Sequence, residues 1–291
     1  MTARRRSRSK VLRPVHANAG IRAAYRKKLL AIIDEMIESY RYWIEAAYKK
    51  SAPQLAQDRV EVIIRQRISA HAARKKAGRR LASNNMIDAL GSLGKRWSRR
   101  IDGTAPLLAK YFATKVEERS AAALRSILKQ GNFTVQFKMT KTVQDVMTAS
   151  IAENISLIKS IPQQFHTEVE GLVMRSVAAG RDLSELSDEL ESRFRITRKR
   201  AELIARDQNN KATTAITRAR YVDMGIQQAI WQHSLAGKTP RPTHIAAGRR
   251  KQVFNVAEGW FDPDPKVSRF IQPGELINCR CTCRPIVKGF S

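Results

Sequence analysis

Arg241-Pro242-Thr243-His244-Ile245-Ala246-Ala247-Gly248 and Pro273-Gly274-Glu275-Leu276-Ile277-Asn278-Cys279-Arg280-Cys281 are the stretches that decide how this chain is read. Polar, sulfur-bearing and Gly/Pro residues concentrate around them, whereas most of what precedes reads as basic amphipathic helix. Short apolar runs at 226–231, 252–256 and 277–287 alternate here with loops rich in Gly and Pro, of which Asp262-Pro263-Asp264-Pro265 is the clearest. Such runs between turn signals are strands, and strands that follow a block of helices make an α+β module. A small sheet over residues 226–291, packed on the preceding helices, is therefore expected.

Toward the N-terminus the period becomes helical. A helix over about 197–224, containing Ala201-Glu202-Leu203-Ile204-Ala205-Arg206-Asp207-Gln208, is closed by Gly225. Before it, Asp182 and Glu185 form a capping box ahead of the apolar face Leu183, Leu186, Leu190 and Phe194. Helix is also expected from Thr142, with an interruption at Pro162 and a stop at Gly180. Phe133-Thr134-Val135-Gln136-Phe137-Lys138-Met139 alternates as a half-buried strand does. Residues 106–130 read as helix ended by Gly131, and Gly91, Gly94 and Gly103 punctuate the basic stretch before it. Further back, Leu29, Ile32, Ile33, Met36, Ile37, Tyr40, Trp43, Ile44 and Ala47 mark one stripe, and Val60, Ile63, Ile64 and Ile68 another. The chain divides on this reading into a flexible basic arm (1–20), a basic helical region (21–140) and a third region (141–291). The last comprises helices over 142–224 and the sheet module.

Charge is the outlying property. With 54 Lys+Arg against 26 Asp+Glu, the formal net charge is +28, more than solubility requires. Such a body attracts polyanions over about 8 Å in cellular salt, so nucleic acid is the leading partner class. A hydrophobic content of 43% nevertheless gives a globular chain. No run of about 18 apolar residues appears, so no membrane span or membrane partner is expected. Residues 1–10 lack the apolar segment of a secretory signal. The three cysteines all fall within 279–283 and make no disulfide framework, which predicts a reducing cytosol.

The candidate polyanion surface comprises the arm residues Arg4, Arg5, Arg6, Arg8 and Lys10, then Arg65, Arg67, Arg74, Lys75, Lys76, Arg79 and Arg80. Lys95, Arg96, Arg99 and Arg100, around Trp97, complete it. Residues 59–100 hold twelve Lys/Arg against two acids, which argues against an ordinary solvated face. No sequence-reading motif accompanies them, so contact with backbone phosphate is the expectation.

If Cys279-Arg280-Cys281-Thr282-Cys283 is a strand, its three sulfurs share one face. With His244 from a distant loop they make a candidate Cys₃His zinc site: His244, Cys279, Cys281 and Cys283. The spacing departs from the usual Cys-x₂₋₄-Cys turn, and same-face strand positions lie far apart for one tetrahedral ion. Reduced buried cysteines acting as small hydrophobes account for the same residues. Zinc aside, no cofactor is expected. Arg206-Asp207 reads as a buried ion pair supporting the His244/Arg280 region, in a structural polar centre that also includes Arg241 and Asn278. No nucleophile with a paired base, no carboxylate pair at catalytic spacing and no Gly-rich phosphate loop is visible, so no enzyme is expected.

Taken together, these residues resemble the phage Mu F-like minor head protein family, the head morphogenesis proteins of tailed phages. The resemblance covers about residues 150–287. It runs from Asn154-Ile155-Ser156-Leu157-Ile158-Lys159-Ser160-Ile161-Pro162 through the stretch from Gly180 to Phe194 and Ile204-Ala205-Arg206-Asp207-Gln208. The passage from Gly225 to Trp231, Arg241-Pro242-Thr243-His244 with Gly248, and Pro273-Gly274-Glu275 leading to Asn278-Cys279-Arg280-Cys281 and Pro285 complete it. Two departures stand out: Ala236-Gly237-Lys238 where the family usually carries an acid, and Cys283 beyond the usual cysteine pair. The resemblance implies a non-enzymatic protein present in few copies inside the capsid and associated with the portal vertex. Its partners would be the portal protein, packaged double-stranded DNA, and the major capsid or scaffolding protein. It would reside in the virion after assembly in the bacterial host cytoplasm. Two other readings are a sequence-nonspecific nucleic-acid-binding protein and, because Mu F-like segments also occur beside such domains, a toxin- or transferase-type enzyme.

Overall fold

The computed structural model describes residues 8–50, 82–179, 183–236 and 239–290. The element order is β1 (Arg8–Val11), α1 (Ala19–Lys50), α2 (Ala82–Gln130), α3 (Lys141–Ala179), α4 (Leu183–Asp223), β2 (Gln228–Gln232), α5 (Pro242–Arg249), β3 (Val253–Asn255), β4 (Trp260–Asp262), β5 (Arg269–Ile271) and β6 (Thr282–Phe290). The expected α+β class holds: long helices come first, and a small antiparallel sheet module follows. No helix among the described residues is long and apolar enough to cross a membrane.

Several sequence breaks do not break helices. Gly91, Gly94, Gly103 and Pro106 all lie inside α2, and Pro162 lies inside α3. A proline removes one ladder bond, but packing supplies most of a helix's stability. Around Pro162, the buried Ile158, Ile161 and Phe165 hold both flanking turns in the core. Gly94 has a packing role, since a Cβ there would lie 2.8 Å from the His166 ring. The end of α4 follows the sequence: Gly225 has φ +70°, its N–H reaches Val222 O, and Ile226 N–H reaches Tyr221 O, both at 2.9 Å. These two bonds are the Schellman pattern. After α2, Asn132 and not Gly131 takes the left-handed conformation, at φ 67°. Gly131 is small because a Cβ would press on Leu12 and Phe133.

Residues are grouped into two compact units. One contains the described residues of Leu29–Ala105 and Ser156–Ala201. Its core joins Leu29, Ile33, Met36, Ile37, Tyr40 and Ile44 of α1 to Leu90, Leu93, Trp97 and Ile101 of α2, with Phe165 and Phe194 from α3 and α4. Tyr40 meets Phe165 edge-on at 4.9 Å, and its hydroxyl bonds His166 Nδ1 at 3.0 Å. Trp43, placed on the buried stripe by period alone, is 44% exposed. The other unit contains the described residues of Met1–Lys28, Pro106–Ile155 and Glu202–Ser291. Both units draw on segments from either side of residue 140, so the linear division expected there is not the structural one.

The sheet of the second unit has the order β1-β6-β2-β3, all antiparallel, and β4 pairs with β5 in a separate ribbon. Residues 8–20 are therefore not an arm: β1 is paired, Leu12 and Val15 are buried, and α1 begins at Ala19. Residues 133–139 carry no strand pairing. Phe133, Val135 and Phe137 do face the core beside Leu124, Leu128 and Tyr221, as the alternation requires, but β1 occupies the sheet edge beside β6. A polar network is buried nearby. Tyr25 donates to Asn154 Oδ1, Asn154 donates to Gln208 Oε1 and Gln208 donates to Glu153, at 3.0, 3.0 and 2.9 Å.

Two glycines test this account in opposite directions. Gly91 sits in mid-helix, and a methyl group added there would meet nothing within 4 Å, so Gly91→Ala should stabilise by about 0.5–1 kcal/mol. Gly259 has φ +102°, and a Cβ there would lie 2.6 Å from Ile271 O, so Gly259→Ala should cost at least about 1–3 kcal/mol. Urea unfolding of the two variants reads both signs.

Candidate metal centre

His244 lies on a helix and not on a loop, because Pro242 at the first helical position starts α5 and aims the next turn inward. Its imidazole is 2% exposed. Nε2 lies 3.1 Å from Oδ2 of Asp262, a fully buried carboxylate at the end of β4. The other oxygen of Asp262 accepts the Asp264 N–H at 3.1 Å. Nδ1 faces two buried thiols, Cys279 Sγ at 3.5 Å and Cys281 Sγ at 3.6 Å. Trp231 and Trp260 wall the ring, with centroids 5.1 and 6.1 Å away.

The two cysteines converge because they are not in a strand. β6 begins only at Thr282, and Asn278 takes φ 63° while Cys279 N–H closes a turn on Leu276 O at 2.9 Å. Same-face neighbours in a strand would lie about 6.6 Å apart. Here the donor atoms of His244, Cys279 and Cys281 all fall within 4.8 Å of one another. Cys283 does not join them; it lines a small cavity with Val15, Thr214 and Tyr221. The expected four-residue set is corrected to three, and burial pushes the Cys283 thiol up to about 12. Within the pair, a hydrogen bond from Cys281 holds the Cys279 thiol well below its usual range, with His244 helping against burial. The Cys281 thiol is correspondingly raised, by that same bond and by burial.

Of the expected polar centre, the structure brings together Arg206, Asp207 and Asn278. Arg206 and Asp207 do not pair with each other; both grip Asn278. Asp207 Oδ1 accepts the Asn278 N–H at 2.8 Å, and Arg206 Nη2 donates to the Asn278 side chain at 2.7 Å. Arg241 donates to Ile277 O at 3.2 Å, and Arg280 donates to Ala236 O at 2.7 Å. Asn210, Lys211 and Asp262 escaped the sequence reading. Asn210 holds Cys279 O at 3.3 Å, and Lys211 lies 3.1 Å from Asp207. The only signal for Asp262 was an acid ending an aromatic run before Pro263.

Cys279, His244 and Asp262 have the connectivity that activates a thiol nucleophile, and two thiols with an imidazole also make a donor set for a soft cation. Burial of all three side chains suits the second. A cavity of about 430 Å³ beside the site is lined by Trp231, His233, Leu235, Ile245 and Arg249 among others, but by neither sulfur nor His244.

Of the candidate phosphate-binding residues, Lys95, Arg96, Arg99 and Arg100 lie exposed along α2. Arg96 bonds Ser39 and covers Trp43, while Arg100 pairs with Glu35 and covers Trp97. Lys10 donates to Gly131 O at 3.0 Å and so serves the fold. Arg8 lies in β1. Arg4, Arg5, Arg6, Arg65, Arg67, Arg74, Lys75, Lys76, Arg79 and Arg80 lie outside the described residues, as do Asp182 and the stripe from Val60 to Ile68.

Removing the imidazole would leave the Asp262 carboxylate buried without its partner. His244→Ala should therefore cost about 3–5 kcal/mol, read by urea unfolding through the fluorescence of Trp231 and Trp260. Asp262→Asn, which keeps a hydrogen bond to the ring, should cost less.

An uncharacterized protein of Haemophilus influenzae is 30% identical over 183 residues, which are 62% of this chain and 39% of that protein. The chain thus spans well under half the length of that relative. No solved structure matches. The family model described as phage Mu protein F like protein matches residues 167–284, which hold the end of α3, all of α4, the whole trio, β2 to β5 and the first three residues of β6. Over these residues the chain is similar to the phage Mu protein F like family.

Proposed function

We propose that this chain is a minor head protein of a tailed phage, acting in head morphogenesis at the portal vertex inside the capsid. In this reading it contacts packaged double-stranded DNA through basic helix faces. The match of residues 167–284 to the phage Mu protein F like family carries the proposal. The virion is then its location, after assembly in the host cytoplasm. The portal protein and DNA are its partners, with the major capsid or scaffolding protein as a further contact. The net charge of +28 and the exposed row Lys95, Arg96, Arg99 and Arg100 support the DNA contact, because phosphate attraction needs charge density and no base reading. A structural role is supported by the burial of the Cys279–His244–Asp262 chain. The charge also favours a second reading, a general nucleic-acid-binding protein.

Co-expression with the portal protein of the same phage, followed by native mass spectrometry, separates the two. A defined complex with a few copies per ring is expected, and two proteins that ignore each other would favour the second reading. For DNA, filter binding to random duplex should weaken steeply with salt. Lys95→Glu with Arg99→Glu should reduce the log–log slope by about 0.9 for each phosphate no longer neutralised. Absent affinity at low salt, or affinity without a slope, would overturn the DNA contact.

A further inference from the structure

We infer that His244, Cys279 and Cys281 bind a structural zinc ion that fastens the 277–281 loop to α5. The geometry of the trio carries this. In a tetrahedral site with Zn–S near 2.3 Å and Zn–N near 2.0–2.1 Å, nitrogen and sulfur ligands lie roughly 3.5–3.6 Å apart. His244 Nδ1 stands 3.5 and 3.6 Å from the two sulfurs. Thiol hydrogen bonds alone explain this less well, because Nδ1 has one lone pair and two sulfurs share it almost equally.

The surroundings match what a zinc-bound histidine requires. Asp262 accepts the Nε2 proton, which fixes the tautomer with the Nδ1 lone pair directed at the sulfurs. The buried indole N–H of Trp231, which walls the ring, has no hydrogen-bond partner among the described residues. The trio is buried and is absent from the lining of the adjoining cavity, so the role is structural. Cys283 takes no part.

The test is metal analysis of the full-length chain purified without chelator. Plasma mass spectrometry should find about one zinc per chain, and X-ray absorption should show two sulfur neighbours and one nitrogen, with a light oxygen or nitrogen atom as the fourth ligand. Replacement by cobalt should give the thiolate charge-transfer and intense visible bands of a tetrahedral site. Cys279→Ser and Cys281→Ser should lose these bands, Cys283→Ser should keep them, and Asp262→Asn should bind roughly 10–100-fold more weakly. Should the serine variants fail to fold, the wild-type cobalt spectrum and the Cys283→Ser variant still decide. Metal-free protein that yields no cobalt bands would overturn the inference. So would a Cys279–Cys281 disulfide, or loss of metal in Cys283→Ser equal to that in Cys279→Ser.

Discussion

The C-terminal module depends on one imidazole held between a carboxylate and two sulfurs. His244 joins three pieces of chain: α5, the end of β4 and the 277–281 loop. Each piece brings polar or sulfur atoms into a site walled by Trp231 and Trp260. Polar groups so buried are stable only when satisfied, so the loss of any member exposes the cost of the others. The same dependence fixes α5, whose Pro242 start orients the ring.

The long helix α4 extends this constraint toward the helical part of its unit. Arg206, Asp207 and Asn210 occupy successive turns and reach Asn278 and Cys279 O. Arg218, further along the helix, bonds Val256 O at 2.9 Å and also Ala257 O. One helix therefore serves as a rail to which two irregular loops are pinned through side chains, as backbone groups outside a sheet require. Gly274, at φ +83°, lets the loop approach Thr214 of the same helix, where a Cβ would lie 2.7 Å from its hydroxyl.

How much of this was legible depended on whether a feature was local. Helical stripes, the Gly225 cap and the apolar runs of β2, β3 and β6 follow from period and turn chemistry, and they were readable. The partners of Arg206 and Asp207 were not, because their proximity in sequence suggests a pair while their side chains leave the helix toward Asn278. The convergence of Cys279 and Cys281 needed the left-handed Asn278, which no period records, and alternation wrongly enrolled Cys283. The stretch 133–139 shows the same limit: alternation correctly located its buried side but could not report that β1 already occupied the sheet edge. Pro106 and Pro162 misled in the other direction, since packing outweighs a single missing bond.

Residues 167–284, similar to the phage Mu protein F like family, contain the whole node. The node makes α5, β4 and the 277–281 loop one cooperative unit. Native-state hydrogen exchange of the full-length protein tests this most directly, through the amides of residues 244–248, 260–262 and 277–281. A shared opening free energy for all three, with Asn278 N–H as protected as the middle of α4, is the predicted result. Independent, fast exchange of 277–281 while α5 and β4 stay protected would contradict it.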